Sequence, residues 1–258
     1  EAWIPRDRLN KMAVAKPYMD QWRKTEETFD FEKLQEAYQE KLKDWQTKAT
    51  AARKTDKPAP GARPRAPRNQ MIGQHRPANL YNGVLNPIIG YGIKGAIWYQ
   101  GESNGNEGES YYQKKHALVK GWRKAFQNPD LAFYWTQLCS WDHGNLLKKG
   151  EVDKHVWARD WGPLREAQFK ALDIPNSGMA VIIDLADAHN PGDIHPRNKQ
   201  DVGWRLAQWA LHQTYGKKDL IPSGPLLEKQ EIEKGKIRLS FKYTGRGLMV
   251  GEKKGTEP

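Results

Sequence analysis

The chain has 258 residues, a net charge of +11 and 28% charged side chains, with a mean hydropathy of −0.89. It reads as a soluble, polar chain that is long enough to bury a full core as one large domain plus an appendage. No apolar run approaches the ~20 residues of a membrane span, and the single cysteine, Cys139, excludes an intrachain disulfide framework.

The first predicted element is a charged helix or helical pair over residues 17–52. There Trp22, Phe29, Phe31, Leu34, Ala37, Tyr38, Leu42 and Trp45 recur at roughly helical spacing among Lys and Glu. The Pro- and Gly-rich stretch "TDKPAPGARPRAPRN" cannot continue a helix and reads as an extended linker. Residues 41–78 hold ten Lys and Arg against Asp44 and Asp56, so most of the net charge is local to this segment. A solvated linker is the expected reading, with no nucleic-acid partner.

From about residue 79 strands and helices alternate. "IKGAIWY" (93–99) predicts a buried strand, and "ESYYQKKHALVKGWRKAF" predicts a helix opened by a Ser110–Gln113 capping box. "LAFYWTQL" (131–138) and "GMAVIIDL" (178–185) predict strands. "GPLREAQFKAL" (162–172) and residues 196–215 predict helices. Such alternation argues for a parallel sheet with helices on both faces, and residues after "LIPSGP" turn β-like. The expected division is 1–16 with 77–218 as the α/β domain, 17–76 as an insert, and 219–258 as the start of a β-rich unit.

Ligands of open parallel sheets bind at the carboxyl ends of the strands. Those ends are "QGESNGNEG", "QLCSWDHG" and "DLADAHNPGDIHP", which carry Trp141 and His143 among their polar groups. Within the first, Gly101-Glu102-Ser103-Asn104-Gly105 spells G-x-S-x-G, the pattern of a nucleophile elbow. An elbow needs a helix directly after its serine, and here a loose loop runs from Asn104 to Glu109, which argues against Ser103. Gln100 and Asn104 carry side-chain N–H groups suited to an oxyanion, and Glu102 suits orienting a donor or holding a sugar hydroxyl. His195 precedes Pro196, a natural first helical residue, and stands where a general base is useful. Asp193, two residues earlier, is its expected partner, with Asp184 and Asp187 as rivals. Asp184, Asp187, His189, Asp193 and His195 are also metal-ligand types, but no fixed-spacing motif accompanies them, so no metal or cofactor is expected.

"ANLYNGVLNPIIGYGIKGAIWYQGESN", "WGPLREAQ" and "DIHPRNKQDVGWRLAQWAL", in this order and spacing, resemble the sialate O-acetylesterase family of the SGNH hydrolases. The resemblance covers roughly residues 1–6 and 77–258. It implies a flavodoxin-like three-layer α/β/α sandwich, commonly followed by a β-rich domain. It also implies metal-free hydrolysis of O-acetyl esters on carbohydrates through a serine acyl-enzyme. His195 matches the family's catalytic base and Asp193 its acidic partner. Gln100, Gly101, Glu102 and Asn104 match the oxyanion and substrate loop. The family's serine lies in a block resembling Gly-Gln-Ser-Asn, and a Gly-Gly-Thr block precedes a segment like "EAWIPR"; neither block is in this sequence. The resemblance therefore implies an internal slice of a longer, exported esterase, periplasmic or secreted, with an O-acetylated carbohydrate as its partner. The competing readings are an α/β-hydrolase that uses Ser103 and a carbohydrate-binding module without catalysis.

Overall fold

The structure, a computed structural model, describes residues 1–58, 60–139, 141, 161–186 and 193–247. The chain divides into two compact units, Glu1–Ile88 and Ile89–Pro258.

In the first unit the charged segment folds as a helical pair. A short α1 (Arg6–Leu9) precedes α2 (Lys16–Thr28) and α3 (Phe31–Lys54). Asp30 separates the pair: its backbone is extended, and its side chain caps α3 by accepting from the Lys33 amide at 2.9 Å. Glu26 on α2 accepts from both terminal nitrogens of Arg6, at 2.7 and 2.5 Å, and from Arg76 Nε at 2.9 Å. These two guanidinium groups hold its carboxyl below the usual carboxylate range. Residues 63–69 of the Pro-rich stretch form neither helix nor strand, in keeping with the linker reading.

The second unit is built on three parallel strands in the order β1 (Gly95–Trp98), β2 (Ala132–Gln137), β3 (Ser177–Val181). Strand alternation sends Trp98, Phe133 and Trp135 to one face of the sheet. There α4 (Glu109–Ala125) packs through Trp122, edge-on to Trp98 at 5.7 Å and to Phe133 at 5.5 Å. On the same face, the Trp135 indole N–H donates to the Gln168 carbonyl of α5 (Gly162–Lys170) at 3.0 Å. Ala132, Tyr134 and Ala180 point to the other face and pack with Val202, Leu206 and Trp209 of α6 (Lys199–Trp209). Helices thus cover both faces of a parallel sheet, the α/β architecture expected.

Three local expectations need correction. β1 is not wholly buried: Ile97 is 67% exposed. It lies on the α6 face, and α6 packs over β2 and β3 rather than over β1. The Ser110–Gln113 capping box does not form. Gly108 occupies the N-cap with no side-chain cap, and Ser110 Oγ donates instead to the Glu107 carbonyl at 3.0 Å. The helix expected over 196–215 is α-helical only to Trp209 and widens into a π-turn over Ala210–Thr214. Beyond it, β4 (Leu226–Glu233) and β5 (Lys236–Lys242) form an antiparallel hairpin. Gly235 supplies the positive φ (+69°) that its two-residue turn needs.

Candidate functional site

In a parallel sheet every strand delivers its chain to the same edge, so the segments after β1, β2 and β3 leave together. The β1 segment is held from within. Gly101 has φ +154° and ψ −13°, a backbone that L side chains rarely adopt, and a Cβ there would crowd Gln168 Nε2 at 3.1 Å and Leu138 Cδ1 at 3.2 Å. Its amide donates to Glu102 Oε2 at 2.9 Å. Gln100 Nε2 donates to Asn104 Oδ1 at 2.6 Å, and Asn104 Nδ2 donates to Glu107 Oε1 at 2.8 Å. Lys114 Nζ closes the chain on Glu107 Oε2 at 2.6 Å. Each primary amide has two N–H bonds, so this network fixes the Gln100 and Asn104 planes while using one hydrogen of each.

Ser103 is exposed within a 3-10 turn (Glu102–Asn104), and the next helix starts only at Glu109. A nucleophile elbow requires the serine on a strand-to-helix turn, with the helix dipole beneath it. The local fold does not supply that, so the Ser103 reading falls.

The β3 segment brings the histidine. Asp193 Oδ1 accepts from the His195 backbone N–H at 2.9 Å and lies 3.0 Å from His195 Nδ1. These bonds, the backbone one foremost, hold the Asp193 carboxyl below its ordinary range. A carboxylate at Nδ1 fixes the tautomer with the proton on Nδ1 and leaves Nε2 as the acceptor. Of the two rivals, Asp184 is bound to Arg205 by two contacts, at 2.6 and 2.8 Å. Asp187, like His189 and His143, lies outside the described residues. Among the described residues no three His, Cys, Asp or Glu side chains form a metal cluster.

Two contacts tie the segments together. The Cys139 thiol after β2 donates to the Ile194 carbonyl at 3.4 Å, anchoring the residue next to His195. The Lys199 ammonium sits 5.1 Å above the Tyr99 ring, joining the start of α6 to the end of β1. Burial, then the charge of Glu102, push the Cys139 thiol up, so it acts as a packed donor and not as a nucleophile.

Sequence reasoning missed the supports beneath these groups. Tyr111 Oη donates to the Gln100 carbonyl at 3.0 Å. The fully buried Gln168 accepts from the Leu138 amide at 3.1 Å through Oε1, fixing the end of β2. Trp161 packs 4.9 Å from Trp141, and so near Gly105 that a Cβ there would lie 2.3 Å from the indole nitrogen. Trp161 and Gln168 are the first and last residues of the "WGPLREAQ" stretch, which was the available signal.

The family described as carbohydrate esterase, sialic acid-specific acetylesterase, matches residues 69–212. The sialate O-acetylesterase of Homo sapiens is 34% identical over 187 residues, 68% of this chain and 35% of that protein. That of Rattus norvegicus is 34% identical over 177 residues, 64% and 32% of the two chains. A crystal structure of a carbohydrate acetylesterase from Xanthomonas citri is similar in fold, with a TM-score of 0.56 and 38% identity, over 66% of this chain and 38% of that one. The chain spans about a third of the length of the curated relatives it matches. With a match over more than half its length, a parallel α/β unit and the Asp193–His195 pair at the strand ends, the chain belongs to the sialic acid-specific acetylesterase family of carbohydrate esterases.

Proposed function

We propose that this chain carries the base and part of the oxyanion site of an SGNH-type carbohydrate O-acetylesterase. The observation that carries the reading is the Asp193–His195 pair, with Nδ1 held at 3.0 Å and Nε2 left to accept a proton. His195 takes the proton of a serine hydroxyl as that oxygen attacks the acetyl carbonyl, and Asp193 stabilises the imidazolium. The hydrogens that the Gln100–Asn104–Glu107 network leaves spare are the proposed donors to the oxygen that becomes negative in the tetrahedral intermediate. His195 then protonates the sugar oxygen as its bond to the acetyl carbon breaks; the same imidazole takes a proton from water, which attacks the acyl-enzyme, and returns it to the serine oxygen as acetate leaves. The attacking serine is assigned to the Gly-Gln-Ser-Asn block that the resemblance implies, which is not part of this sequence. The family match covers residues 69–212, so residues 17–68 of the proposed insert lie outside it. An O-acetylated carbohydrate as partner and an exported location complete the proposal. No helix among the described residues is long and apolar enough to cross a membrane.

The test uses 4-nitrophenyl acetate. With a family nucleophile block fused ahead of Glu1, the chain turns the ester over, and His195→Ala lowers kcat by about 10³-fold or more with its circular dichroism unchanged. Retained turnover in that variant would falsify the role of His195. Without the block no serine-dependent hydrolysis is expected; activity abolished by Ser103→Ala would restore the elbow.

A further inference from the structure

A groove of about 400 Å³ runs along the outer side of β3, between α6 and residues 221–224. Its floor is apolar, with Val181 and the half-exposed Ile221, and Trp204 of α6 forms one wall while remaining 62% exposed. Single exposed apolar side chains are ordinary, but a large flat indole on the wall of a concave site is not. Its polar groups are the Gln208 amide and the Ser223 hydroxyl, together with Arg205. Arg205 is the only charged residue among the described lining, and it is committed: it donates to both carboxylate oxygens of Asp184 and, at 2.7 Å, to the Val181 carbonyl.

The chemistry selects the occupant. An anionic ligand would meet a guanidinium already neutralised by Asp184. A wholly apolar ligand would leave the Gln208 amide and Ser223 hydroxyl without partners, at a desolvation cost. A pyranose satisfies both, because its C–H face stacks on an indole while its rim hydroxyls give and accept hydrogen bonds. The groove is connected to the candidate site through the chain. Val181 ends β3, and the Asp184–Arg205 pair clamps the turn through which the chain leaves β3 toward His195.

We infer that the groove along β3 is a subsite for an uncharged oligosaccharide, holding neighbouring sugars of a glycan whose acetylated unit sits at His195. The inference deepens the esterase reading and rests on it for the orientation of the glycan, while its binding test is independent of turnover.

The chain itself is titrated with xylohexaose, cellohexaose and chitohexaose, and with the methyl glycoside of N-acetylneuraminic acid, followed by tryptophan fluorescence. At least one neutral hexaose binds, with little dependence on salt. Trp204→Ala and Gln208→Ala each weaken that binding about tenfold, and Trp204→Phe restores most of it. Trp204 is exposed, so its truncation leaves the melting temperature unchanged. Failure of all three hexaoses to bind, tighter binding of the sialoside, or neutral binding indifferent to Trp204 overturns the subsite. In the block-fused enzyme Trp204→Ala leaves 4-nitrophenyl acetate turnover intact. Loss of that turnover in the parent fusion sinks the esterase reading alone, because hexaose binding is scored separately.

Discussion

Lys115 sits in an environment at odds with its chemistry. It is 2% exposed, and Nζ has no hydrogen-bond partner among the described residues. Its ammonium sits 5.5 Å from the centre of the Trp98 ring and 5.2 Å from those of Tyr111 and Trp135. Three π-faces attract the cation but do not replace its hydration, and burial pulls the amine down from 10.5 to about 7. Between those values the unfolded chain binds the proton that the folded chain has lost, so stability rises with pH through that window. Thermal melts from pH 7 to 10 should show that rise, and Lys115→Met should remove this contribution and gain roughly 2–4 kcal/mol at pH 7. A variant less stable at pH 7 would show that the aromatic cage outweighs the lost hydration. None of this was legible in "YYQKKHALVKGW", where Lys114 and Lys115 look alike. Both are buried, but one pairs with Glu107 while the next points among the rings of Trp98, Tyr111 and Trp135, a distinction set by α4's rotation about its axis. The Asp193–His195 pair was legible because two residues of spacing let one carboxylate reach both the backbone N–H and the ring.

At the scale of elements, periodicity located the three strands and the helices between them, because apolar runs and polar loops alternate cleanly. It could not reveal which strand is only partly covered or where a helix changes pitch, since those depend on packing partners distant in sequence. β3 and α6 illustrate this. Gly178 lets α6 approach so closely that a Cβ there would lie 2.3 Å from the Trp209 ring, whose indole N–H donates to the Met179 carbonyl at 2.9 Å. A strand glycine read alone suggests a weak point, yet here it is the seat of the largest side chain on that face. Gly178→Ala should cost about 1–3 kcal/mol in urea unfolding, by overpacking against the ring. Gly203, on the same helix, is the control. A Cβ there would meet nothing within 4 Å beyond its own helix backbone, so Gly203→Ala should be neutral or stabilising.

For the molecule as a whole, the division into Glu1–Ile88 and Ile89–Pro258 bears on what the basic segment is for. Its Lys and Arg are spread along α3 and an irregular Pro-rich stretch, so they line no single face of one rigid element. The interior of the second unit has its own closed set of supports: Trp122 on Trp98 and Phe133 over one face, Trp209 on Gly178 over the other. A domain with its own core melts on its own account. Replacing residues 31–68 with a short Gly-Ser bridge keeps the Glu26–Arg6–Arg76 cluster and removes α3 with the linker. Hydrogen-exchange protection of the β2 and β3 amides should then stay as it was, and retention on a cation exchanger should fall because much of the positive charge has gone. Loss of protection in β2 and β3 would instead make α3 part of the scaffold that positions His195, and the segment could no longer be read as an insert.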